Sequence, residues 1–285
     1  MSRSRSTVSL VCGLMCLASF PATHVHAETL PSVPSSCFSY HFENVQEDAR
    51  GFHASALHAS YEGSKSTLTT GEINATSPEG NTSSQELQRL NASAAFAALT
   101  AFQGQASNTC QLNTSSFHGT LNTRWGNVTL AHNQHRLTIR ALTLNTSERN
   151  KNTNVSFSAS GVKDTTSSLI PSEVSASLIV EGHSATPLIT INSLHAVNGT
   201  NALDGHGSVQ TAANPLASSA DLHISLTNVD ALLNDVRQTA PARVTTALTI
   251  ARLMGRANGS ATEWDVGLHN GVATVNNVPI PLNLH

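Results

Sequence analysis

Residues 201–256 read NALDGHGSVQTAANPLASSADLHISLTNVDALLNDVRQTAPARVTTALTIARLMGR, and a change of period inside this stretch decides the fold class. Leu203, Gly205, Gly207 and Val209 stand at alternate positions, then Asn214-Pro215 marks a turn, then Leu222, Ile224 and Leu226 alternate again. A period of two puts all apolar residues of a strand on one face. After Leu226 the period becomes helical. Asn228 is placed as an N-cap, Asp230 suits the positive helix end, and Ala231, Leu232, Leu233 and Val236 form an apolar stripe. Pro241 restarts the helix, since proline is favoured at the first helical position, although this register leaves Ala240 as a poor cap. Val244, Leu248, Ala251 and either Leu253 or Met254 would face the sheet, and Gly255 and Gly259 end the helix.

Outward from this unit the alternation continues in both directions. Downstream, Trp264, Val266 and Leu268 lead into Asn270-Gly271, the strongest two-residue hairpin signal. The chain then finishes as an edge strand that tolerates Pro279 and Pro281. Upstream, alternating runs are centred on Leu121–Leu130, Leu137-x-Ile139-x-Ala141, Val155-x-Phe157-x-Ala159, Val174-x-Ala176-x-Leu178-x-Val180 and residues 188–194. Asn145-Thr146-Ser147, Lys163-Asp164, Glu181-Gly182 and Asn198-Gly199 are expected as the turns between them. One apolar face per strand is the pattern of antiparallel sheet. Nearer the N-terminus, Phe38, Tyr40 and Phe42, then Phe52, Ala54 and Ala56, predict further strands, and residues 72–92 read as polar turn and loop. Residues 90–102, with Ala95, Phe96, Leu99 and Phe102 spaced by three and four, predict a short helix.

The first 27 residues have the form of an export signal. Arg3 and Arg5 precede a short apolar run at residues 8–20, and Val25-His26-Ala27 offers a cleavage site after Ala27. The run is shorter than the roughly 20 residues that span a bilayer, so a cleaved signal is expected rather than a retained anchor. Export by the general secretory route follows, with no transmembrane segment after cleavage. Residues 28–36 form a Pro/Ser linker, 37–109 a β and short-helix segment, and 110–285 the main antiparallel domain. Two of the 15 basic residues leave with the signal and all 18 acidic ones remain, so the mature chain carries no electrostatic footprint for nucleic acid. Charged residues are only 12% of the chain and Ser, Thr and Asn abound, the composition of a β-protein with a polar, weakly charged exterior. Of the four cysteines, Cys12 and Cys16 belong to the signal. Cys37 and Cys110 remain and are expected to form one bridge, the alternatives being a metal pair or two free thiols.

The order of elements in 201–283, with "NVDALLNDV" opening the helix and "W-x-V-x-L-x-N-G-V" closing it, resembles a family of Gram-negative envelope proteins. Their architecture is similar to that of the AsmA/TamB-type lipid-transport proteins. The resemblance implies a mostly β fold: a long curved antiparallel sheet, a C-terminal amphipathic helix in two segments over about 228–256, and a closing hairpin. It also implies an apolar concave face that shelters lipid, with a lipid or an envelope protein as the partner. The alternating residues Leu178, Val180, Leu222, Ile224 and Leu226 are the expected contacts on that face.

Reactive chemistry is not legible. Twelve histidines follow the signal, but His132 and His135 would meet only across a turn at Asn133-Gln134, so no metal site is expected. Gly205-His206-Gly207 lacks the third glycine and the following helix of a dinucleotide fingerprint, and its glycines read as points of close approach. Gly182-His183-Ser184 is not a nucleophile elbow. Aromatics are 4% of the chain, too few for stacking platforms, and Trp125 and Trp264 read as core anchors. Sequons recur, among them Asn74, Asn91 and Asn127, at a frequency natural to so Asn-, Ser- and Thr-rich a chain. The expectation is a non-enzymatic exported protein without cofactor that holds a lipid or other apolar ligand. A surface or structural interaction protein of adhesin-like β type is the alternative.

Overall fold

Alternating apolar residues produce the expected antiparallel ladders throughout, and the chain is mostly β. The computed structural model describes residues 37–61, 65–80, 82–103, 120–150, 152–181, 186–212, 217–239 and 242–280. The export signal, the linker, Cys110, the Gly182-His183-Ser184 and Asn214-Pro215 segments and Pro241 lie outside them. The chain divides into two units, residues 1–170 and 171–285.

In the first unit ten strands act as six long, kinked ones. They are β1 (Phe38–Glu43) with β2 (Gln46–Asp48), β3 (Gly51–Ala54) with β4 (Ala56–Tyr61), and β5 (Ser66–Thr69) with β6 (Ile73–Thr76). Then come β7 (Leu121–His132), β8 (His135–Arg149), and β9 (Asn152–Ser160) with β10 (Lys163–Asp164). Each pairs with the next as a meander. Two rows of residues cross the strands. One is Ala54–Ile73–Trp125–Leu142–Ala159 and the other is Ala59–Leu68–Leu130–Leu137. In every strand the two rows are an odd number of residues apart, which in a straight strand would put them on opposite faces. Both nevertheless lie in one core. Each strand therefore turns over once between the rows, at a corner where Asn44, Asn127 and Gly161 take positive φ, Gly71 N donates to Gly126 O and Gly126 N donates to Glu72 O. Ala56 and Ala141 lie at this corner. Ala56 is buried, but neither residue belongs to the buried cluster that holds Phe52, Ala54, Leu137 and Ile139.

Helix α1 (Ser84–Gln103) fills the core beneath that corner, burying Leu87, Ala95, Phe96, Leu99 and Phe102. It begins well before residue 90, because Ser83 and Glu86 form a reciprocal capping box. Ser83 N donates to the Glu86 carboxylate at 2.8 Å and Glu86 N to Ser83 Oγ at 3.3 Å. Asn145-Thr146-Ser147 is not a turn. It continues β8, with Thr146 opposite Val155, and Asn145 donates across to Ser156 Oγ at 3.3 Å. Lys163-Asp164 is likewise paired, as β10.

The second unit pairs β11 (Glu173–Glu181), β12 (Leu188–Asn198), β13 (Asn201–Gln210), β14 (Ser219–Thr227), β16 (Ala261–His269), β17 (Val272–Val275) and β18 (Val278–Ile280) in that order. The short β15 (Arg256–Asn258) lies on β16. The hairpin at Asn270-Gly271 has positive φ at both positions, the geometry that matches strand twist. Between β14 and β15 run α2 (Val229–Thr239) and α3 (Ala242–Met254), the two helical segments expected. Val229, Leu233 and Val236 are buried and Leu232 is half-buried, whereas Ala231 is exposed, so the stripe begins at Val229. Asn228 does not cap with its side chain. Its backbone is left-handed at φ 54°, its carbonyl accepts from Ala231 and Leu232, and its side chain donates to Thr200 O at 2.7 Å. At the end of α3, Met254 turns inward and Leu253 is 81% exposed.

Candidate functional site

The register of the second unit stacks its apolar residues into rows across the strands. Val174–Ala196–Leu203–Leu226 is the row nearest the helices, followed by Ala176–Leu194–Gly205–Ile224–Trp264. Beyond them come Leu178–Ile191–Gly207–Leu222–Val266 and Val180–Ile189–Val209–Ala220–Leu268. Directly opposed residues share a face, so Leu178, Val180, Leu222, Ile224 and Leu226 do stand together on one apolar surface. A bulge in β12 between Ile191 and Leu194 keeps both of those residues on it.

The helices cover this surface unevenly. Leu226 and Trp264 are buried against Val229, with Leu203, Ile224, Leu232 and Val266 packed around them. The Trp264 indole donates to Ala251 O at 2.7 Å and Asn276 Nδ2 to Met254 O at 2.6 Å, pinning the end of α3 to the sheet. Gly255 is what allows this approach, since a Cβ there would collide with the Thr262 methyl and stand 3.0 Å from the Trp264 ring. At the far end no member of the Val180–Ile189–Val209–Ala220–Leu268 row is buried. Leu178 is buried, while Val180 and Leu222 are partly exposed. Gly207 keeps the middle of the surface flat. Its φ of 148° disfavours any side chain, and a Cβ would strike the Asp221 carbonyl of the next strand.

The opposite face of the same strands carries histidines paired with aspartates. His195 Nδ1 lies 2.6 Å from Asp204, His223 Nδ1 2.9 Å from Asp265, and His269 Nε2 2.9 Å from Asp221. His206 stacks at a tilt on His223, with ring centroids 5.0 Å apart, and Arg256 also pairs with Asp265. Hydrogen bonding from His223, then from Arg256, lowers the Asp265 pKa. Sequence reasoning missed this face. The partners lie 9 to 48 residues apart, and only the register brings them together.

In the first unit Asn133-Gln134 is indeed the turn that sets His132 opposite His135. Their bonds run elsewhere. His132 Nδ1 meets Ser66 Oγ at 2.7 Å, and His135 Nε2 meets Asp164 Oδ2 at 2.5 Å while its ring stacks on Phe102. Ser66 is fully buried, so this Ser, His and Asp grouping presents no nucleophile to a substrate. Among the described residues no group of three or more His, Cys, Asp or Glu side chains is placed to hold a metal, and no helix is long and apolar enough to cross a membrane. Cys37 is buried at the start of the first unit's sheet; its expected partner Cys110 lies outside the described residues.

The chain matches no family model, no curated protein and no solved structure. Function has therefore to be argued from the two faces of the second unit.

Proposed function

We propose that this is a non-enzymatic, exported envelope protein of AsmA-like architecture that holds an acyl chain or similar apolar ligand on the apolar face of its second unit. The observation that carries this reading is the partial exposure, among the described residues, of the end of that face away from Trp264. Val180, Ile189, Ile191, Val209, Leu222 and Leu268 lie in adjoining rows and are partly exposed, with Leu178 buried beside them. Burying apolar surface there contributes about 25 cal/mol per Å² toward holding an alkyl chain. The export signal and the resemblance over 201–283 support a periplasmic location under this reading.

The test is gentle purification of the exported full chain, followed by mass spectrometry of the lipid that comes with it. Wild type should carry acyl lipid at a reproducible ratio, and L222D and V209D should carry less than a tenth as much while keeping their circular dichroism spectra. A wild-type protein that is consistently empty and takes up no fluorescent fatty acid sinks the proposal. The polar, His- and Asp-bearing opposite face favours the second reading, an adhesin-like interaction protein. Cell fractionation separates the two, because surface exposure or release into the medium fits only the second.

A further inference from the structure

We propose that His206 and His223 form a cross-strand chelate for a borderline transition-metal dication of the Zn²⁺, Ni²⁺ or Cu²⁺ class, with water completing the coordination. The two residues are directly opposed in the β13–β14 ladder and their rings lie 5.0 Å apart. Two imidazoles bound at Zn–N distances of about 2.0–2.1 Å and a tetrahedral angle have their centroids about 5 Å apart. Register and rotamers together thus bring the rings to chelating separation. His206 is exposed and free to turn toward an ion at the half-buried His223.

The surroundings favour ligation rather than ordinary surface histidines. His223 bonds through Nδ1 to Asp265, which leaves Nε2 as its available nitrogen. A carboxylate on the second ring nitrogen is the arrangement that fixes the tautomer and raises the basicity of metal-bound histidine. Asp265 is held in turn, since its backbone N–H donates to Asn276 Oδ1 at 2.8 Å and Arg256 pairs with its carboxylate. Arg256 opposes a nearby cation, but its charge is matched by Asp265. His195 with Asp204 and His269 with Asp221 flank the pair on the same face and already have their own partners. The ion therefore has two protein ligands, consistent with the absence of any larger donor group among the described residues.

The experiment titrates Zn²⁺ and Cu²⁺ separately into the metal-stripped mature chain by calorimetry, with the histidine ring protons followed by NMR in the Zn²⁺ titration. Wild type should bind one ion with shifts confined to His206 and His223. H206Q, H206N and H223Q should each weaken that site by about tenfold or more, and D265N by about tenfold through its hold on His223. H195Q should leave it within about twofold. Binding that survives H206Q and H223Q unchanged, or a wild type that takes up neither ion below millimolar concentration, overturns the proposal. Lipid loading is a separate readout on the other face, so failure of either idea leaves the other standing.

Discussion

The indole nitrogen of Trp125 donates to Oδ1 of Asn91 at 2.7 Å inside the core of the first unit, where Trp125 is 3% and Asn91 2% exposed. Asn91 Nδ2 donates in turn to Leu87 O at 2.7 Å, so this amide links helix α1 to strand β7. N91A strands the buried indole N–H and should cost about 1–3 kcal/mol. Urea unfolding followed by tryptophan emission measures it, and a variant as stable as wild type would contradict the assignment. The same burial closes the Asn91 sequon to glycosylation in the folded chain.

Asp164 provides a pH-dependent contribution to stability. Burial works against its charge, but hydrogen bonds from the Thr166 hydroxyl, His135 and the Thr166 backbone, together with the charge of His135, outweigh this and lower its pKa. A carboxyl whose pKa is lower folded than unfolded stabilises the fold above its unfolded value of about 3.9. That contribution fades as the pH drops through the folded value. D164N should be less stable than wild type by about 1–3 kcal/mol at pH 6, and the gap should narrow steadily below pH 4. Urea midpoints of the two proteins across that range decide it. A constant gap would show that Asp164 acts by shape alone.

Gly255 tests how the helix pair is seated. G255V places a side chain against Thr262 and the Trp264 ring, where the indole bond to Ala251 O must break or the helix must lift. Overpacking of this kind costs about 1–3 kcal/mol. In a W125F background, which leaves Trp264 as the reporting tryptophan, the emission should shift to the red. An unchanged spectrum with an unchanged melting temperature would mean the helix end is not held as described.

Pairing of Cys37 with Cys110 can be read from the exported mature chain. Its intact mass should be lower by two hydrogens without reductant, and thiol alkylation should label nothing until the protein is reduced. Closing a loop of this length contributes about 4 kcal/mol in the chain-entropy model, so C37S and C110S should each lower the melting temperature, and the double variant should lower it no further. Full alkylation of the unreduced protein would rule the bridge out.

Several of these features were readable in the chain before any coordinates. The apolar surface of the second unit was, because Leu178, Val180, Leu222, Ile224 and Leu226 obey a strict period of two and the register does not scramble them. The corner of the first unit was not read, although its trace is visible: Phe52 and Ala54 are followed by Leu57, Ala59 and Tyr61, a shift of parity inside one apolar run. A slip of one residue looks like noise in a single strand. It becomes a structural element when every neighbouring strand slips at the same row. The early start of α1 was hidden in a polar stretch whose Ser83-x-x-Glu86 box outweighs its weak apolar pattern.

The sequence by itself determined the class of fold, the antiparallel strands, the helix pair near 228–256 and its hairpin, because these depend on local period and turn chemistry. Only the tertiary structure decided which faces meet. It set Trp125 against Asn91 and folded the first sheet around α1. In the second unit it left one end of the apolar surface partly exposed among the described residues and gathered four scattered histidines on the reverse. Cross-strand neighbours are fixed by register rather than by distance along the chain, and no local pattern encodes which residue will stand opposite His206.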